Sequence, residues 1–341
     1  MRVLYLLYVI VMLRIASQTP IYVSNSAIFR ISLTVMEAIP DGTLSLLGLL
    51  LILMATIGIC MCLVEIYEIL RIKRILPFKY FTLSQAIIHF TGQSVVVILC
   101  IASQLIFGPW VYPPLVGYMA LALQFASLYI SLTMSVNRLI SVSFPTRYPK
   151  VFTPTTAAVI AILACIFAFS TTSALLVDEC NLNFRRDIGG FSFRDTDCGR
   201  LFSTYIDAIY SIALVLIAVP LDITSLFILR RISKRRVAYT RILQKEKPWF
   251  IQTFMNSLLF AVMLACFHFT SLFQDQVIQF FLTIVTWEIW LMSPQIVEVI
   301  VQKDCRNAYL RLMRKRKKKQ VDVFFTTFAA NRSTMLIKGN K

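Results

Sequence analysis

Seven long, unbroken apolar stretches run along this chain and constrain its fold more than any other feature. They occupy residues 44–64, 86–107, 115–136, 154–177, 208–229, 249–273 and 277–301. A hydrocarbon layer about 30 Å thick is crossed by roughly 20 residues of α-helix, so each stretch is long enough to span a membrane. Inside lipid every backbone N–H and C=O must be satisfied within the protein, which only helices and closed barrels achieve. Barrel strands would read as alternating segments of about ten residues, whereas these stretches are continuous. The expected fold is therefore all-α, a seven-transmembrane-helix bundle. Composition agrees: 58% of the 341 residues are apolar, against about 45 to 50% in an average soluble domain.

The net charge of +17 would suggest a nucleic-acid partner if its distribution were ignored. Of the 34 Lys and Arg residues, 27 fall after span seven or in the connections 1–2, 3–4 and 5–6, and 7 fall on the opposite side. By the positive-inside rule the rich side is cytoplasmic and the N-terminus is outside. The run from Arg314 to Lys319 then reads as a juxtamembrane polybasic segment meeting anionic inner-leaflet lipid, and no nucleic acid is expected. Before it, Tyr309, Leu310, Leu312 and Met313 alternate with Arg311, Arg314 and Lys315 as in a short amphipathic helix at the interface. Cys305 at its start is a palmitoylation candidate or an unmodified thiol.

The domain reading is an extracellular segment 1–43, a receptor-like bundle 44–301, a basic juxtamembrane helix 302–319 and a cytoplasmic tail 320–341. Within the first segment, the apolar run from Val3 to Leu13 behind Arg2 is either a signal peptide, ending near residue 17, or a retained interfacial stretch.

Cys60, Cys62, Cys100, Cys165 and Cys266 lie in spans and Cys305 follows the last one, which leaves Cys180 and Cys198 together in one outer loop. That pair alone faces an oxidising space, and an intraloop disulfide is expected, with Cys100 the only other conceivable partner. On a chain-entropy estimate the bond stabilises by roughly 3 kcal/mol and holds the intervening residues as a folded lid.

Ionisable groups inside a bilayer cost at least about 2.5 kcal/mol at the helix centre and are functional candidates. They are His89 in span two, Asp222 in span five, His268 in span six, and Glu288 and Glu298 in span seven. Glu298, like Glu65 and Glu68 at the inner end of span one, is placed to snorkel to water. Gln85, His89 and Gln93 form one polar stripe and Ser127, Ser131 and Ser135 another, both at helical spacing and both read as interhelical packing. Gln124, Asp207, His268 and Glu288 fall in the outer half or middle of spans three, five, six and seven and are a candidate outward-facing ligand pocket. Its two acids suit a cationic or hydrogen-bond-donating ligand. Pro220 and Pro294 interrupt spans five and seven, and Pro294 is a candidate hinge.

At the inner end of span three the chain reads SVNRLISVSFPTRYPKVF, which resembles the signature of nematode serpentine chemoreceptors, class x in particular. Further segments agree in order and spacing: LSQAI entering span two, CNLNF and FSFRDTDCGRLFSTYID in the outer loop, LDIT in span five, FIQTF entering span six, and Trp287 ahead of Cys305-Arg306. The chain departs from that class in lacking the usual Asn of span one and in carrying Pro294, within SPQIV, where members often have Asp. The resemblance implies a rhodopsin-like G-protein-coupled architecture, reception of an external chemical cue, a small-molecule or peptide ligand, at the plasma membrane of a sensory neuron or its cilium, and signalling through a heterotrimeric G protein. It implies that Asn137 and Arg138 occupy the G-protein switch position. Glu246, the only acid in the third inner loop, is the expected latch partner of Arg138.

A transporter or channel is the rival, since Asp222 and Glu288 could line an ion path; the internal repeats common in transporters are missing from the sequence. An enzyme is not expected, because the chain has no HExxH zinc motif, no phosphate loop and only two histidines, His89 and His268. Neither cofactor nor metal is expected.

Overall fold

A computed structural model describes residues 39–71, 77–108, 111–186, 189–235, 237–273, 275–301 and 306, with backbone alone at 113, 233–235, 237–249, 268 and 271. The expectations for residues 1–38, for Cys305 and for the tail from 307 onward lie outside the described residues.

Seven helices are long and apolar enough to cross a membrane. They are α1 (Asp41–Arg71), α2 (Pro77–Phe107), α3 (Pro114–Ser143), α4 (Pro154–Leu176), α5 (Asp197–Ile232), α6 (Val237–Phe269) and α7 (Gln276–Val301). Most overrun the apolar stretches. A helix of 31 residues is about 46 Å long, against about 30 Å of hydrocarbon, so its polar ends reach the headgroup layers. Asn137 and Arg138 consequently lie within α3, not beyond its end, and α5 starts at Asp197.

The central helix is α3. Within its apolar window 72% of residues are buried, against 22% for α4 at the periphery. It packs on α2, α4, α5 and α6, while α1 closes the bundle between α2 and α7. On α4 the inward face is small, with Ala157, Ala161, Ala168 and Thr172 buried, and the outward face is large, with Ile162, Leu163, Ile166 and Phe167 exposed. Lipid rewards no hydrophobic burial, so helices associate through small residues that let backbones approach. Gly58 of α1 does the same against α2: a Cβ there would stand 2.4 Å from the Gln93 side chain.

Pro220 and Pro294 both sit inside continuous helices. The irregular turns lie elsewhere, as π-helical segments at Gly92–Ala102 in α2, Phe202–Tyr210 in α5 and Phe281–Val285 in α7. Hydroxyls bind carbonyls there, as Thr286 Oγ1 does in donating to the Phe281 carbonyl at 2.9 Å. Such widened turns recur near functional sites.

Between α4 and α5 an antiparallel hairpin forms from β1 (Leu182–Arg185) and β2 (Gly190–Phe193), pairing Leu182 with Phe193 and Arg185 with Gly190. The expected disulfide joins Cys180 to Cys198, with Cα atoms 4.9 Å apart. The Thr196 hydroxyl accepts from Gly199 N at 3.1 Å and caps the start of α5. The hairpin lies across one mouth of the bundle. Its Leu182 carbonyl rests where a Cβ on Gly117 of α3 would be, only 2.0 Å away, and Leu182 and Phe184 are buried. Gly189, at φ +59°, carries the turn against Phe280 of α7 and Ile39. Arg186 completes the cover, pairing with Asp41 of α1 at 2.9 Å and donating to the Leu105 carbonyl of α2 at 3.4 Å.

Candidate functional site: a polar relay toward Arg138

Polar groups inside an apolar bundle must find one another, because an unpartnered group there has no water to bind. The two stripes of α2 and α3 do so. Gln85 Nε2 donates to Ser131 Oγ at 3.3 Å, and His89 Nε2 lies 2.9 Å from Ser127 Oγ. The His89 ring also lies 5.5 Å from that of Trp290 on α7, which meets Phe260 of α6 edge-on at 5.2 Å. Gln93, the third member of its stripe, turns to α1, where Cys62 Sγ lies 3.8 Å from its Oε1.

Toward the end of the bundle remote from the hairpin, Arg138 and Asn137 are both buried. The Arg138 guanidinium carbon lies 4.9 Å from the centroid of Phe78 on α2 and 5.3 Å from that of Phe250 on α6, so two cation–π contacts hold the charge. Asp222 of α5 is a buried carboxylate that accepts a hydrogen bond from Ser257 Oγ of α6 at 2.8 Å. Arg138 thus ties α3 to α2 and α6, and Asp222 ties α5 to α6. Beside them Val142, Leu229 and Phe250 form a small apolar cluster separate from the main core. Glu246 lies on the α6 backbone, and its side chain is outside the described residues.

A second buried node joins α1 to α7. Glu65 and Glu298 are only 4% and 3% exposed, and Gln295 Nε2 donates to Glu65 Oε2 at 3.0 Å. This corrects the snorkelling expected of the two glutamates: both turn inward and bind across the α1–α7 contact. Glu68 behaves as expected at the surface, 3.9 Å from Arg71.

The four candidate pocket residues are placed less tightly. Gln124 is buried on α3, Asp207 is half-buried on the π-helical turn of α5, and the His268 side chain is outside the described residues. Glu288 is fully buried, and neither carboxylate oxygen has a hydrogen-bond partner among the described residues. Two concavities stand out, a small one among α2, α3, α5, α6 and α7 and a groove of about 510 Å³ between α3 and α4. None of the four residues lines either. Phe125, Tyr129 and Tyr210 instead pack together between α3 and α5, with ring centroids 5.9 to 6.3 Å apart.

The family described as serpentine type 7TM GPCR chemoreceptor Srx matches residues 52–302. The chain belongs to this family. The matched stretch holds every spanning helix of the receptor except the first turns of α1, and it includes Arg138, Asp222 and the disulfide loop. No curated protein matches the sequence. Among solved structures the receptor is similar to the crystal structure of squid rhodopsin, at 14% identity and a TM-score of 0.59 over 80% of this chain and 85% of that one. At that identity the likeness establishes the fold, a multi-pass seven-helix bundle of the G-protein-coupled type.

Arg138 was legible from its motif. The buried pair Asp222–Ser257 was not, because 35 residues separate the two and only the α5–α6 packing brings them together.

Proposed function

We propose that this receptor sits in the plasma membrane with its N-terminus and hairpin outside, binds a small external chemical and activates a heterotrimeric G protein at its basic, cytoplasmic side. The observation that carries this reading is the buried Arg138, at the end of α3 that the charge distribution makes cytoplasmic, held between Phe78 and Phe250; the buried Asp222 of α5 is taken as its anionic partner. An arginine in that setting has two arrangements: drawn in toward the carboxylate, or swung out toward a protein docked on the basic side. Signalling follows if the ligand favours the second arrangement by its contacts. Asn137 shares the turn and would steady the inward arrangement; Glu246 is retained as a further latch partner at the foot of α6. Pro294 serves as the hinge of α7, Cys305 as a lipid-anchor site, and the basic residues that follow it meet anionic lipid.

The ligand would enter beneath the hairpin past His268, at the outer end of α6, toward Gln124, Asp207 and Glu288, and two acids there favour a cationic or hydrogen-bond-donating compound. The test is a chemical screen in reporter cells that carry the receptor and a promiscuous G protein, with membrane current recorded in parallel. Ligand-evoked G-protein signalling without current is the expected result. Current or solute flux without G-protein activation would replace this reading with a transporter or channel.

A further inference from the structure

A small internal cavity lies among α2, α3, α5, α6 and α7, below the Phe260–Trp290 edge contact. The space open to a water centre is about 10 Å³, close to what one water molecule occupies by that measure, about 10 to 15 Å³. Size alone would leave it dry if the walls were apolar, but four polar side chains line it: Gln85, Ser131, Asn256 and Ser257. Asn256 is 5% exposed, and its Oδ1 has no hydrogen-bond partner among the described residues. Ser131 Oγ accepts from Gln85 and so keeps its own proton to give, while Ser257 gives its proton to Asp222 and keeps lone pairs to accept.

We propose that this cavity is a binding site for one ordered water, which accepts from the Ser131 hydroxyl and donates to Asn256 Oδ1 and Ser257 Oγ. Three hydrogen bonds is the usual number for a buried water, and each end of the set meets its chemical complement. The water joins two side-chain pairs that lie on either side of the cavity, Gln85–Ser131 on α2 and α3 and Ser257–Asp222 on α6 and α5. A continuous polar chain then runs from α2 to Asp222, with the water as its tie to α6. Removing the water releases α6 from α2 and α3 without disturbing either direct pair.

Two measurements test the site. A high-resolution cryo-EM map of the intact receptor should show a density peak within hydrogen-bonding distance of Ser131 Oγ and Asn256 Oδ1; an empty cavity in a map that resolves other buried waters overturns the proposal. The second measurement rests on the receptor reading above, and the map does not, so the two failures are distinguishable. It is a double-mutant cycle on basal G-protein activation, normalised to surface receptor, with Ser131→Ala and Asn256→Leu. Each single variant should raise basal activity about three- to tenfold, and the double should rise no further than the larger single, because both remove the same water. Effects that multiply would mean that the residues act separately and would overturn the bridge. If Asn256→Leu fails to reach the surface, Asn256→Ala completes the cycle with the same expected non-additivity.

Discussion

The two ends of this bundle are closed by different physics. At the hairpin end the closure is covalent and backbone-built: a disulfide, a β-ladder, a capped helix start and a glycine that lets a strand lie against α3. At the opposite end it is made by side chains, with Arg138 between two phenyl rings, Ser257 bound to Asp222, and Gln295 reaching Glu65. Covalent and ladder contacts have one arrangement, whereas a buried cation with several partners has alternatives only a few kcal/mol apart, which a two-state switch requires. On the proposed function, the hairpin end is the one that keeps its shape and the opposite end the one that changes.

Breaking the rigid end should act on folding. The largest effect is expected from Gly117→Leu, whose side chain has no space beside the Leu182 carbonyl; mature receptor at the cell surface should fall more than about tenfold, read by surface immunolabelling, in line with overpacking costs of about 1 to 3 kcal/mol or more. Next comes Cys180→Ser with Cys198→Ser, which should lower the thermal stability of detergent-solubilised receptor by roughly 3 kcal/mol. At the other end, Gln295→Leu removes a hydrogen bond to a buried carboxylate and should cost about 1 to 3 kcal/mol in the same assay, while raising basal signalling as the α1–α7 tie is lost. The smallest effect is expected from Arg186→Ala: its ion-pair partner Asp41 is largely exposed and hydrated, so stability should change by less than about 1 kcal/mol. A change of several kcal/mol there would show that the lid depends on this ion pair more than on its disulfide and ladder.

The spans were legible because lipid admits no other structure, and the disulfide because two cysteines share the one loop that reads as oxidised. Which face of each span points inward was not. Leu46, Leu49 and Leu53 of α1 face outward while Leu44, Leu47 and Leu51 face inward, and all six are the same residue type. Only departures from that uniformity carry information, as with Gly58, the alanines of α4 and the stripes of α2 and α3. Glu65 and Glu298 were misread because an acid near a helix end suits either water or a buried partner, and Gln295 is 230 residues from Glu65 in the chain. The π-helical turns lack a proline or other sequence mark, while the two prolines that suggested breaks sit in unbroken helices. For the candidate site the same limit applied. Arg138 stands out by motif, whereas the hydrogen bond between Asp222 and Ser257 joins two spans and has no mark in the sequence.

The central claim, that Arg138 and Asp222 form the G-protein switch, is tested most directly without any ligand. Guanine-nucleotide exchange on a G protein should be measured in membranes carrying equal surface amounts of native receptor, Asp222→Asn and Arg138→Ala. The account predicts that Asp222→Asn, which removes the charge but keeps the shape, raises basal exchange by about tenfold, a coupling of roughly 1.4 kcal/mol, and that Arg138→Ala brings it to background. Exchange that is the same for all three, in membranes where the G protein responds to another receptor, would contradict it.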